Sequence, residues 1–179
     1  MNRYESWGRF PKASHEIVRI SSPVQSLPLP AQKKILAFGR GRSYGDVCLN
    51  DGGVLIDTTR LNRILNFDEE KGVLRCEAGT TLQEILSVIV PNKWFLPVAP
   101  GTQFVTVGGA IANDVHGKNH HRAGTFGCHV EKFEILRSDG SRLECSREKN
   151  PEWFSATIGG LGLTGLILWV EFQIGRAHV

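Results

Sequence analysis

"PGTQFVTVGGAIANDVHGKNHH", residues 100–121, decides how this chain folds. Pro100-Gly101 makes a turn, Thr106 is placed to cap a helix or to bind through its hydroxyl, and Gly108-Gly109 precede the small, apolar Ala110-Ile111-Ala112. A helix that opens on paired glycines and small residues lets a ligand approach its N-terminal amides, which carry partial positive charge. The stretch therefore predicts an anion-facing helix start over Thr106 to Gly109. His116 and His120 follow with the i, i+4 spacing of two metal ligands on a helix. Gly117 and Asn119 between them are poor helix formers, and no glutamate stands at the metalloprotease position, so the spacing does not make a metal centre. What it leaves is a polar edge of Asp114, His116, Lys118 and Asn119, suited to a ligand or a reacting group; histidines satisfied by their own neighbours are the alternative.

Working outward, "AFGRGRSYGD", residues 37–46, follows an apolar strand, as a phosphate-binding turn should. Backbone N–H groups converge on an anion only where side chains do not block the approach, and glycine also supplies positive φ. Neither GxGxxG followed by a helix nor GxxxxGK[ST] is present, which excludes Rossmann and P-loop sites. A tight turn without a ligand is the alternative for this stretch alone. A third glycine turn, "IGGLGLTG", spans 158–165. Three such turns in one small domain point to more than loop punctuation.

The 179 residues are 41% hydrophobic and 22% charged, enough for one globular domain with a sizeable core. Lys plus Arg number 21 against 18 Asp plus Glu, and the basic residues are scattered rather than gathered with aromatics, which argues against nucleic acid as a partner. Cys48, Cys76, Cys128 and Cys145 lie far apart with no CxxC pair, and are expected to be buried, unpaired thiols of a reducing compartment. The charged N-terminus has no signal-peptide core, and no run reaches the ~20 apolar residues of a transmembrane helix. The expectation is a soluble or peripheral protein on the cytoplasmic side.

Along the chain, residues 1–30 read as an N-terminal arm and a proline-rich connector. "KILAFGRG" and "GGVLIDTTRL" each give a short strand, and "ILNFDEEKGVLRCEAG" a hairpin. "TTLQEILSVIVPN" is a helix with Thr80 or Thr81 as N-cap, Glu84 in capping-box position, and Leu82, Ile85, Leu86 and Ile89 on one face. After the extended "KWFLPVAPGT" come a hairpin closed by Asp139-Gly140, a short helix in "PEWFSATIGGLG" and a last strand, "TGLILWVEFQI". Strands mixed with few, separated helices indicate α+β.

"GRGRSYGD", "PGTQFVTVGGAIANDVHGKNHHRAGTFGCHV" and "IGGLGLTG", in this order from about residue 35 to 173, resemble the FAD-binding domain of the PCMH-type, or vanillyl-alcohol-oxidase, flavoproteins. "HGKNHH" resembles the branch of that family that oxidises polyprenyl-phosphate sugars in cell-wall arabinan biosynthesis. The resemblance implies a domain of two α+β subdomains over residues 31–174 that holds FAD. The turn through Ala37, Phe38, Gly39, Arg40, Gly41 and Arg42, then Ser43, Tyr44, Gly45, Asp46 and Val47, would wrap the FAD pyrophosphate. Gly101, then Thr106, Val107, Gly108 and Gly109, then Asn113, Asp114, Val115 and His116, would line the cofactor toward the flavin, with Ile167 touching it from the last strand. Many relatives carry in the first turn a Gly-His-Ser whose histidine bonds to the flavin. Here the triplet is Gly41-Arg42-Ser43, so FAD would be noncovalent and Arg42 would pair with a phosphate.

By the same resemblance, a hydride leaves a carbinol carbon for flavin N5, and the 2'-alcohol of a polyprenyl-phosphate ribose becomes a ketone. An NADH-dependent short-chain reductase would be the partner that completes an epimerisation. Tyr44, His116 and Lys118 are the substrate-side candidates, His116 orienting flavin or substrate and Lys118 meeting a phosphate or hydroxyl. Family members continue well past "EFQI" into a substrate-capping domain, so this chain is expected to be a truncated FAD-binding lobe with exposed apolar surface. The final "IGRAHV" lacks strand periodicity, and ATCGGAAGAGCACACGTC, which matches a common sequencing-adapter segment, would encode those six residues, so 175–179 is expected to be a non-native tail. An oxidase of a free sugar, aldonolactone or polyol is a rival reading, and a noncatalytic anion-binding module is another.

Overall fold

The computed structural model describes residues 4–24 and 33–176, so most of the proline-rich connector lies outside the described residues. Strands β1 (Glu16–Arg19), β2 (Ile35–Phe38) and β3 (Val54–Asp57) form a parallel sheet in the order β1-β3-β2, with Ile56 opposite both Val18 and Ala37. Strand β1 lies in the segment that the sequence presents as an arm; it is a member of the first sheet. The short, half-buried "EIVR" gives too weak an alternation to mark a strand whose partner is 38 positions later in sequence (Glu16 with Val54).

Strands β4 (Ile64–Asp68) and β5 (Val73–Glu77) form the expected hairpin. Helix α1 (Leu82–Ile89) starts on a complete capping box: Thr81 Oγ1 accepts from Glu84 N–H, and Glu84 accepts from Thr81 N–H. Such a cap contributes about 1 kcal/mol. Then come β6 (Trp94–Phe95), α2 (Val107–Ala112), α3 (His120–Ala123), β7 (Val130–Leu136), β8 (Arg142–Ser146), α4 (Pro151–Thr157), β9 (Leu166–Gln173) and β10 (Gly175–Arg176). The larger sheet is antiparallel, in the order β4-β5-β9-β7-β8. Gly175 and Arg176, in the stretch without strand periodicity, pair antiparallel with Phe95 and Trp94; residues 177–179 lie outside the described residues.

Apolar faces of α1 and α2 cover one side of the larger sheet, where Leu82, Ile85, Ile89, Val107, Ala110 and Ile111 share a core with Phe126, Phe133, Val170 and Phe172. Helix α4 adds Phe154, stacked on Phe133 at 5.2 Å between ring centroids. Strand β9 is buried on both faces, because Leu166, Leu168 and Trp169 pack on the other side against Ile20, Ile56 and Leu61. That second cluster joins the two sheets. The resulting α+β architecture agrees with the sequence-based fold class.

All four cysteines are unpaired. Only Cys76 and Cys145 are buried, while Cys48 is half-buried and Cys128 exposed, which corrects the expectation that all four would be internal. Among the described residues, no helix is long and apolar enough to cross a membrane.

Candidate functional site

A cleft of about 360 Å³ opens where the turn after β2 meets α2, the glycine turn before β9 and β9 itself. Three stretches far apart in sequence supply most of its lining. From the first come Ala37, Phe38, Gly39, Arg40, Gly41, Arg42, Ser43, Tyr44 and Val47, from the second Thr106, Gly108, Gly109, Asn113 and Val115, and from β9 Ile167. Past Val47, Leu161 and Gly162, which line both, lies a second cavity of about 640 Å³ that also takes in Lys33, Lys34 and Arg137.

The glycines of the wall have distinct physical reasons. A Cβ on Gly39 would stand 2.5 Å from Thr106 Oγ1, so the first turn and the start of α2 touch only because residue 39 has no side chain. Gly41 has φ +60°, and a Cβ there would lie 2.2 Å from the Glu5 carbonyl oxygen. Among the described residues, the N–H groups of Gly39 to Arg42 donate to no protein acceptor, and all four residues line the cleft. Arg40 and Arg42 are exposed there and form no ion pair with a described residue. Unpaired amides and two guanidinium groups over a bare glycine surface fit the pyrophosphate of a dinucleotide.

The start of α2 differs from its sequence reading. Val107 N–H donates to Thr80 O and Gly108 N–H to Ala78 O, each at 2.8 Å, and Gly109 N–H donates to Thr106 Oγ1 at 3.2 Å. These amides are engaged inside the protein, so the helix start is no open anion cradle. Glu77, fully buried at the end of β5, helps to fix the accepting carbonyls by taking hydrogen bonds from Arg63 N–H, Nε and Nη2. Gly108 allows α2 to pack on Ala78, whose Cβ and O would lie 3.1 Å from an added Cβ. Thr106, buried, caps α2 with its hydroxyl, and Asn113 turns its Nδ2 back to Gly109 O at 2.9 Å.

Six of the cofactor-side candidates do not line the cleft: Gly45, Asp46, Gly101, Val107, Asp114 and His116. Asp46 lines the second cavity, Val107 is fully buried in the core, and Asp114 Oδ1 accepts from Gly127 N–H at 2.9 Å. Of the substrate-side candidates, the largely exposed Tyr44 lines the cleft, whereas His116 and Lys118 are exposed outside it. Residues 117–119 are not helical, and the His116 backbone instead bridges to Thr125. The His116 ring stands edge-on to His120 at 5.3 Å. His120 Nδ1 lies 3.1 Å from Gly117 O and His129 Nε2 2.8 Å from Ala123 O, so these two histidines hold local turns.

The sequence assigned no site role to Cys48, Thr58, Ala78, Val105, Ala112, Leu161, Gly162, Gly165 or Leu166, all of which line the cleft. The "IGGLGLTG" turn was the available signal for Leu161, Gly162 and Gly165. Its Gly159 and Leu161 N–H groups cap the end of α2 on Ile111 O and Ala112 O, which brings the turn against the cleft. Burial pushes the Cys48 thiol up, opposed by a hydrogen bond with Ser43.

A family model described as an FAD binding domain matches residues 28–146. Decaprenylphosphoryl-beta-D-ribose oxidase of Mycolicibacterium smegmatis is 40% identical over 179 positions, covering 96% of this chain and 39% of that protein. L-gulonolactone oxidase of Mus musculus is 30% identical over 176 positions, again 96% and 39%, and cytokinin dehydrogenase 2 of Arabidopsis thaliana is 30% identical over 80% of the chain and 28% of that protein. The chain thus spans about two fifths of the length of the first two relatives.

Proposed function

The chain belongs to the PCMH-type FAD-binding flavoproteins, and from that premise we propose that it is the FAD-binding lobe of an oxidoreductase that converts a sugar hydroxyl to a ketone. FAD is the cofactor of this domain. The substrate we assign is a polyprenyl-phosphate ribose, oxidised at its 2'-hydroxyl, with an NADH-dependent short-chain reductase as the partner that reduces the ketone.

The observation that carries this reading is the cleft itself, lined by the free amides of Gly39 to Arg42 and by Val115, with the exposed His116 and Lys118 following Val115 outside it. Bound FAD supplies the hydride acceptor. The chain's own residues bind, orient and exclude water. The Gly39–Arg42 amides and Arg40 hold the pyrophosphate, Ile167 and Val115 give apolar contact, and Tyr44 stands at the rim where a substrate enters. Arg42 occupies the position of a linking histidine in many relatives and cannot form that bond, so the cofactor is held noncovalently. Likeness to the decaprenylphosphoryl-ribose oxidase at 40% against 30% for L-gulonolactone oxidase favours the lipid-phosphate sugar over a free lactone.

The test is to purify the protein from its complete coding sequence and compare turnover of a polyprenyl-phosphoryl ribose with that of L-gulonolactone. A visible flavin band, released as free FAD on denaturation, and turnover of the phosphoryl ribose are expected. Turnover of the lactone alone overturns the substrate, and a colourless protein that takes up no added FAD overturns the oxidase.

A further inference from the structure

The matched family region begins at residue 28, yet the segment before it packs on the cofactor turn at four points. Tyr4 donates its hydroxyl to Asp57 Oδ2 at 2.8 Å and sets its ring edge-on to Phe38 at 5.3 Å. The Glu5 carbonyl lies against Gly41, and Trp7 N–H donates to Ser43 O at 2.8 Å. Gly8 is so close to Tyr44 O that an added Cβ would stand 2.8 Å from it. The Arg42 guanidinium then lies over the Trp7 ring at 5.1 Å and over the Phe104 ring at 5.8 Å. Both distances are within cation–π range. Arg42 forms no ion pair with any described residue.

We propose that residues 4–10 are a strap that completes the cofactor site, and that Trp7 and Phe104 clamp Arg42 as a fixed receptor for a phosphate group at the mouth of the cleft. A free arginine carries about 2 kcal/mol of rotamer entropy, part of which is lost when it binds an anion. Two rings that already hold the guanidinium reduce that loss, and a π face accepts no more than a share of its N–H groups, so an oxygen acceptor still finds donors there. Trp7 and Phe104 are therefore positioning residues acting through Arg42. The phosphate is either the FAD pyrophosphate or the phosphodiester of the substrate assigned above, and only the second source rests on that assignment.

The experiment uses the full-length protein and measures two quantities: the Kd of FAD for the apoprotein, and the KM for a polyprenyl-phosphoryl ribose. The variants are Trp7→Ala, Trp7→Phe, Trp7→Leu, Arg42→Gln and the Trp7→Ala/Arg42→Gln pair. Trp7→Ala is expected to weaken the phosphate-bearing ligand about three- to fivefold, the scale of an exposed cation–π contact. Trp7→Phe should recover to within about twofold, whereas Trp7→Leu, which keeps bulk without a π face, should not. The double variant should bind no more weakly than Arg42→Gln alone. A loss in FAD affinity identifies the pyrophosphate; a higher KM with FAD affinity unchanged identifies the substrate phosphodiester. Equal recovery by Trp7→Leu and Trp7→Phe, the same loss from Trp7→Ala with or without Arg42, or no change in either quantity overturns the clamp. A flavoprotein that oxidises no polyprenyl-phosphoryl ribose overturns only the substrate assignment, because the FAD arm then decides the clamp by itself.

Discussion

Replacing Gly39 with alanine probes the contact on which the cleft depends. A methyl group at that position would lie 2.5 Å from Thr106 Oγ1 and 3.3 Å from Thr106 Cγ2, too close for the hydroxyl to stay where it is. The same oxygen accepts from Gly109 N–H at 3.2 Å as the N-cap of α2. Thr106 must either leave its rotamer and give up the cap or push the turn away from the helix. Losing the cap costs about 1 kcal/mol, and overpacking adds about 1–3 kcal/mol, so Gly39→Ala should destabilise the protein by about 2–4 kcal/mol. Thr106→Ala alone should cost about 1 kcal/mol. In the double variant the new methyl group faces the residue-106 Cβ at 3.5 Å, an ordinary contact. Its cost should therefore stay near that of Thr106→Ala, a coupling of about 2–4 kcal/mol between the two sites. Urea denaturation of the four proteins, with FAD removed so that ligand binding does not enter the equilibrium, measures the cycle. Costs that add to within about 0.5 kcal/mol would refute direct contact between the first turn and α2.

Burial tends to raise the Glu84 carboxyl, but hydrogen bonds from Thr81 and Asn62 and the charge of Arg40 outweigh it and hold it below its ordinary 4.5. Because the folded value is the lower one, this stabilisation is present above 4.5 and is lost as pH falls through the lowered value. The stability advantage of the native protein over Glu84→Gln should shrink across that acid range in urea titrations; a pH-independent difference would show that the charge contributes nothing. Burial pushes the Cys76 thiol up to about 12, while Cys128 is exposed and Cys48 lines the cleft. Iodoacetamide mapping by mass spectrometry should find Cys128 modified first, Cys76 last, and Cys48 faster once FAD is stripped; equal Cys48 rates with and without FAD would place the cofactor elsewhere. Lys118→Ala and His116→Ala should each lower kcat/KM for the phosphoryl ribose about tenfold with FAD content unchanged, and loss of the flavin band would show a structural role instead.

What was legible in the sequence was local. The Thr81–Glu84 box, the Asp139-Gly140 hairpin and the apolar run of β9 each carry their signal within a few residues, and each forms where that signal lies. The first glycine turn was legible for the same reason: a bare backbone after a strand is a local property, and Ala37 to Tyr44 do line the cleft. The start of α2 was not, because the fate of its amides depends on the Ala78 and Thr80 carbonyls, nearly thirty residues earlier. A glycine pair at a helix start is ambiguous in sequence, since the missing side chains admit either a ligand or a neighbouring segment, and here Gly108 admits Ala78. The N-terminal strap was hidden for a related reason. Its ring over Arg42 and its hydrogen bond to Ser43 join residues more than thirty positions apart, and neither contact imposes periodicity on "YESWGRF". Gly41 held the one trace of it. With φ +60° and the Glu5 carbonyl where a side chain would stand, glycine at 41 is required by the segment that covers it, whatever the cleft in front of it holds. A glycine-rich phosphate turn can thus owe one of its glycines to the protein behind it, and in this chain substitution at 41 would dislodge the strap before it touched the cofactor.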